Sequence, residues 1–92
     1  MRIRWTQSAA DDLTHISDYI GEHDTSATAR RVALAIYESI GTLVRFPRRG
    51  RPGRHPATRE LVITSLPYIA IYRIHDDVIE IARILHGAQD WR

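Results

Sequence analysis

Three observations predict an α+β domain with two layers, a helical hairpin packed on a small, mainly antiparallel sheet in the order β-α-α-β-β-β. Between residues 9 and 43 apolar side chains recur every three or four positions, the repeat of helices with one buried face. From Arg59 onward three runs rich in β-branched residues replace that repeat with strand-like patterning. The links between successive segments are too short for anything but antiparallel neighbours within each half. A chain of 92 residues is one domain, spanning 1–92, with a single modest core and a net stability of roughly 5–10 kcal/mol.

Arg2 to Trp5 alternates, with Ile3 and Trp5 on one side and the two arginines on the other, which makes a short strand. Thr6 and Ser8 are both N-cap residues, and Ser8 has Asp11 three positions on. Ala9, Leu13, Ile16 and Ile20 then mark a helix of about four turns that ends near Gly21. Thr25 or Ser26 caps a second helix, whose stripe is Ala29, Val32, Ala33, Ile36, Ile40 and Leu43. Gly41 weakens it by about 1 kcal/mol relative to alanine, and Phe46-Pro47 ends it, because the residue before proline is driven out of helical geometry.

Residues 48–57, with Gly50, Pro52, Gly53 and Pro56, are expected to hold no regular structure. Strands are expected at Arg59–Thr64, Ile69–His75 and Val78–Leu85, the last two joined by the tight link Asp76-Asp77. Strict alternation in the last strand sends Ile79, Ile81, Arg83 and Leu85 one way and Val78, Glu80, Ala82, Ile84 and His86 the other. Neither side is cleanly polar, so part of the sheet is expected to present apolar surface to a partner chain. Trp91 is expected to pack back on the sheet.

The formal net charge of +2 conceals a segregation. Residues 45–59 carry six arginines and no acid, whereas the remaining seven arginines face eleven acids, a balance of −4. A cationic segment on an anionic body suits an anionic partner, nucleic acid or an acidic protein; a solvated loop is the plainer alternative. Every basic residue other than histidine is arginine. The guanidinium fork matches phosphate bidentately, although codon composition produces the same bias. There is no cysteine, no run of about 18 apolar residues and no leader-like N-terminus, which together point to a cytoplasmic protein without a membrane span.

Arg59, at the mouth of the cationic loop, and Arg83, inside an apolar strand, are candidate phosphate clamps; ion pairs with Glu60 and Glu80 are the structural alternatives. His86, where the last strand ends, has an ordinary pKa near 6.5 suited to acid–base work, against the alternative of a hydrogen-bonded structural histidine. Tyr68 and Tyr72 read as core or hairpin residues before base-stacking platforms. His15, His23, His55, His75 and His86 lack metal-ligand spacing, so no metal and no cofactor is expected. No nucleophilic triad, Walker loop, Rossmann fingerprint or zinc-finger pattern is present.

Taken in order, Trp5-Thr6 with Asp12-Leu13 and Tyr19-Ile20, Phe46-Pro47, the Gly50-Arg51 loop, the run from Thr58 to Ile63, Pro67 to Ile74 and Ile84 to Trp91 resemble the RelE/ParE superfamily of bacterial toxin–antitoxin systems over nearly the whole chain. The resemblance implies the same β-α-α-β-β-β order and a cognate antitoxin, encoded by an adjacent gene, whose extended or helical tail wraps the toxin. It also implies one of two targets. RelE-like members are endoribonucleases that cut messenger RNA, usually on the ribosome; ParE-like members poison DNA gyrase without being nucleases. The first is the leading expectation, with Arg59, Arg83 and His86 as catalytic residues and Arg48, Arg49, Arg51 and Arg54 as RNA contacts. The chain departs from the nuclease pattern in having no lysine, no tyrosine directly after His86 and only Glu60 as a stand-in for a loop glutamate. Residues 60–63 and 86–90 look more like ParE-type plasmid-stabilisation proteins. A passive nucleic-acid-binding module is a third expectation.

Overall fold

The structure, a computed structural model, describes residues 1–87, so Trp91 lies outside the described residues. The elements are β1 (Arg2–Trp5), α1 (Gln7–His23), α2 (Ser26–Gly41), a 3-10 turn (Thr42–Val44), β2 (Arg51–Pro52), β3 (Arg59–Val62), β4 (Tyr68–His75) and β5 (Val78–His86). Thr6, rather than Ser8, caps α1: its hydroxyl accepts the Ala9 N–H at 3.1 Å. Its own proton goes to the carbonyls of Ile81 and Ala82, so one residue both starts the helix and fixes it to β5. Thr25 caps α2 by accepting the Thr28 N–H at 3.0 Å. Gly21 lies inside α1, which runs on to His23, and α2 ends at Gly41 in the tighter 3-10 turn.

Two helices pack on one face of a mixed sheet of order β1-β5-β4-β3-β2. The three C-terminal strands form an antiparallel meander. β1 joins them in parallel beside β5, with Arg2 opposite Val78 and Trp5 opposite Ile81. The expectation of no regular structure in residues 48–57 is corrected here: Arg51–Pro52 pairs antiparallel with Arg59 and Glu60 as a fifth strand. Two residues suffice because Pro52 has no N–H to donate and stands at the rim of the sheet, where none is needed.

The core joins Ala9, Ile36, Ile40 and Leu43 of the helical layer to Leu61, Ile63, Ala70, Tyr72, Ile79, Ile81 and Ile84 of the sheet side. Strict alternation in β5 fails at one place. The ladder pairs Ile71 with Arg83 but Tyr72 with Ile81, leaving Ala82 as an extra residue. This β-bulge exchanges the sides of β5 beyond it, so Ile84 enters the core in place of Arg83. Among the described residues no helix is long and apolar enough to cross a membrane.

Candidate functional site

The cationic loop is held from beneath by Tyr72. This residue is fully buried, its hydroxyl donates to the Pro47 carbonyl at 2.7 Å, and it accepts the Gly50 N–H at 2.9 Å. Burial pushes the phenol pKa above its ordinary 10.0, against the opposing pull of the Gly50 N–H and the Arg59 charge. A side chain at Gly50 would place its Cβ 2.7 Å from the Tyr72 ring and hydroxyl, so only glycine lets the backbone approach this closely. Arg59 completes the fastening, donating to the carbonyls of Gly50 at 2.6 Å and Arg48 at 3.3 Å. Its guanidinium thus satisfies loop carbonyls rather than pairing with Glu60.

Glu60 serves the other side of the loop. It accepts from the Arg51 Nε at 3.1 Å and from the Arg54 backbone N–H at 3.4 Å. Arg51, Arg54, Glu60, Ile69, Ile71, Leu85, His86 and Gly87 line a small concavity of about 80 Å³ on the sheet side away from the helices. His86 meets the Tyr68 ring edge to face, with centroids 5.8 Å apart. Arg48 and Arg49 are exposed beside Phe46, itself 60% exposed, on a separate surface formed with Pro47.

Arg83 is engaged by α1. Its Nε and Nη2 donate to the two Asp12 oxygens at 2.7 and 3.0 Å, and Asp12 also accepts the Ile84 N–H at 2.9 Å. The reason lies in β1, whose register with β5 stops at Ile81 where the chain turns into α1. The next outward N–H of β5 needs a partner, and the first helix supplies a carboxylate. The bidentate bond raises the Arg83 pKa further, and burial only partly opposes it. The pair lines an open groove of about 610 Å³ with His15, Tyr19, Tyr68 and His86.

The structure therefore distributes the predicted residues. Arg51, Arg54 and His86 share the small concavity, Arg83 and His86 share the groove along α1, and Arg59 lines a third depression with Arg48 and Thr58. The sequence-based reasoning did not foresee Asp12 as the partner of Arg83, nor Tyr72 as the post under the loop. It also missed a second cationic surface, where Arg4 and Arg73 share Glu80 on the outer side of the sheet and Arg2 stands next to them in β1. The alternation of Arg2 and Arg4 against Ile3 and Trp5 was the visible signal for that surface. Among the described residues no group of three His, Cys, Asp or Glu side chains is placed to hold a metal ion.

This architecture is that of a toxin from a type II toxin–antitoxin system. Residues 3–91 match the model of the ParE toxin of the parDE type II toxin–antitoxin system, and the chain belongs to that family within the RelE/ParE superfamily. It is 47% identical over 90 residues to a protein of Sinorhizobium fredii named as a candidate toxin, Y4kP, covering 98% of this chain and 92% of that one. With toxin RelE2 of Caulobacter vibrioides it shares 39% identity over 88 residues, 96% of this chain and 97% of the other. Among solved structures, a chain of the chromosomal ParDE system of P. aeruginosa superposes with a TM-score of 0.88 at 30% identity, covering 94% of this chain and 95% of that one. A chain of the RelBE2 toxin–antitoxin complex of Mycobacterium tuberculosis gives a TM-score of 0.66 at 27% identity, covering 92% and 95%.

Proposed function

We propose that this toxin acts in the cytoplasm by binding a protein target, DNA gyrase, without chemistry of its own, and that a cognate antitoxin encoded beside it holds it inactive. The observation that carries this reading is the employment of the two strand arginines. Arg83 is in a bidentate pair with Asp12, and Arg59 is bonded to the carbonyls of Gly50 and Arg48. Phosphoryl transfer without a metal relies on preorganised cations aimed at the reacting phosphate, and cations already bonded to internal acceptors supply little of that. The ParE family match and the ParDE likeness support the same target class, and both solved relatives come from toxin–antitoxin systems. Exposed Arg48 and Arg49 beside Phe46 would then contact an acidic patch on the target.

Purified toxin is expected to inhibit supercoiling by reconstituted gyrase or to trap the enzyme on cleaved DNA. Undiminished supercoiling at saturating toxin would remove the gyrase reading. One observation favours the ribosome-dependent endoribonuclease as the second reading, namely that His86 and the Arg51–Glu60 pair surround one concavity. That reading expects new 5′ ends in cellular messages after induction, and their loss in His86→Ala. Messages left intact during growth arrest would exclude it.

A further inference from the structure

The layout of the second cationic surface is fixed by strand pairing. Arg2 stands opposite Val78 and Arg4 opposite Glu80, and on the far side of β5 those two residues face His75 and Arg73. Ile3, Ile79 and Ile74 of the same three strands turn toward the helices, so by alternation the other six side chains share the face turned away from them. The result is two rows, Arg2-Val78-His75 and Arg4-Glu80-Arg73. Glu80 gives one oxygen to each flanking guanidinium, Oε2 to Arg4 and Oε1 to Arg73 at 3.4 Å. It lies beneath them, its side chain 20% exposed against 68% and 46% for theirs. Arg2 is exposed and makes no ion pair among the described residues. Three guanidiniums thus share one carboxylate, and two of them are held in place by it. The acids of the adjoining turn are matched by bases of their own: Asp76 lies 3.7 Å from His75, and Asp77 lies 3.9 Å from the N-terminal amine.

We infer that this face binds the phosphate backbone of duplex DNA without reading its sequence. Arg2 and Arg4 form one column and Arg73 with His75 the other, separated by two strand spacings, about 9.5 Å. Columns at that separation reach the phosphates on both sides of a B-form minor groove, which is about 6 Å wide. A-form RNA presents a wide, shallow minor groove that columns this close cannot straddle. The grid has no tyrosine, tryptophan or phenylalanine, the side chains on which single-stranded bases stack. An acidic protein would need an apolar centre to its contact, and Val78 is the only aliphatic side chain in the grid. Phosphate, by contrast, needs only the guanidinium forks. The inference goes beyond the choice of protein target. A toxin that grips duplex is concentrated wherever a DNA-bound partner works.

The test is fluorescence anisotropy of the purified full-length toxin with a mixed-sequence duplex of about 20 base pairs, titrated across a salt series. Binding is expected with a dissociation constant on the order of 10⁻⁵ M at low salt and a log–log salt slope of about −2.7, from about −0.9 for each of three phosphates. Arg2→Ala with Arg73→Ala is expected to weaken it about tenfold or more and to cut the slope to about −0.9. Glu80→Gln keeps a hydrogen-bonding side chain, removes the opposing charge and is expected to tighten binding about threefold, a direction that damage to the fold would not give. Circular dichroism of each variant should match the parent. Binding that survives Arg2→Ala with Arg73→Ala and is lost in Arg48→Ala with Arg49→Ala would move the site to the loop and overturn the proposal. Duplex RNA or single-stranded DNA bound more tightly than duplex DNA, or no binding at all, would overturn it too. Undiminished supercoiling in the gyrase assay would remove the gyrase reading and leave this site standing.

Discussion

The two rims of the sheet are finished in opposite ways. At one, β2 is two residues long, ends in a proline and is tied down by the loop around it. Gly53 donates to the Thr58 carbonyl at 2.7 Å, Arg59 holds the Gly50 carbonyl, and the Tyr72 hydroxyl bridges Pro47 and Gly50. A short, proline-bearing edge is a known means of preventing unwanted pairing. At the other, β1 is four residues of regular alternation beside an open apolar recess, and neither a proline nor a bulge interrupts it. Internal bonds fix the backbone of the first rim. At the second, the Ile3 and Trp5 amides face away from β5.

The contrast can be broken at the closed rim first, where the largest effects are expected. Gly50→Val should destabilise the fold by about 3 kcal/mol, because the new side chain overlaps the Tyr72 ring and the surrounding core is close-packed; a urea midpoint equal to that of the parent would show that the loop is not seated on Tyr72. Tyr72→Phe should cost about 2 kcal/mol by leaving the buried Gly50 N–H without its acceptor.

The same residue gives the closed rim a pH signature. Its folded pKa is raised, so its contribution is present below the ordinary 10.0 and lost as pH climbs above that value through the folded pKa, because the unfolded chain gives up the proton more readily. Alkaline unfolding above about pH 10 should therefore be less steep in Tyr72→Phe than in the parent, as followed by circular dichroism. Identical alkaline profiles would mean that another tyrosine is responsible.

Between the rims, Asp12→Ala should cost about 1.5 kcal/mol, less than the Tyr72 change because Arg83 retains partial access to water. The matched double variant with Arg83→Ala separates the ion pair from the Ile84 cap, since only the cap is missing once both side chains are gone. At the open rim, Arg2→Ala should leave the urea midpoint unchanged within error, as expected for an exposed side chain. A large loss of stability there would mean that the rim serves the fold of the isolated chain.

Periodicity made the helices and the three C-terminal strands legible, and the choice of Thr25 or Ser26 as cap placed the start of the second helix to within one residue. What escaped depends on contacts distant in sequence. The placement of Arg83 turns on one extra residue in β5, and strict alternation contains no signal for a bulge. Its partner lies 71 positions away on a helix whose polar side looked merely solvated. The arginines of the loop were conspicuous as a cluster. Their division among three depressions follows from the Tyr72 post and the pairing of β2 with β3, neither of which composition encodes. In the same way, the Gly50 and Arg48 carbonyls as partners of Arg59 were not foreseen, because backbone carbonyls do not appear in a count of charges.

The parallel pairing of β1 with β5 has a temporal consequence. Arg2 finds its neighbour at Val78, so the N-terminal strand cannot pair until nearly the whole chain has been synthesised. A nascent toxin therefore stays unfinished on the ribosome, and its poisonous shape is assembled only after its last strand has emerged.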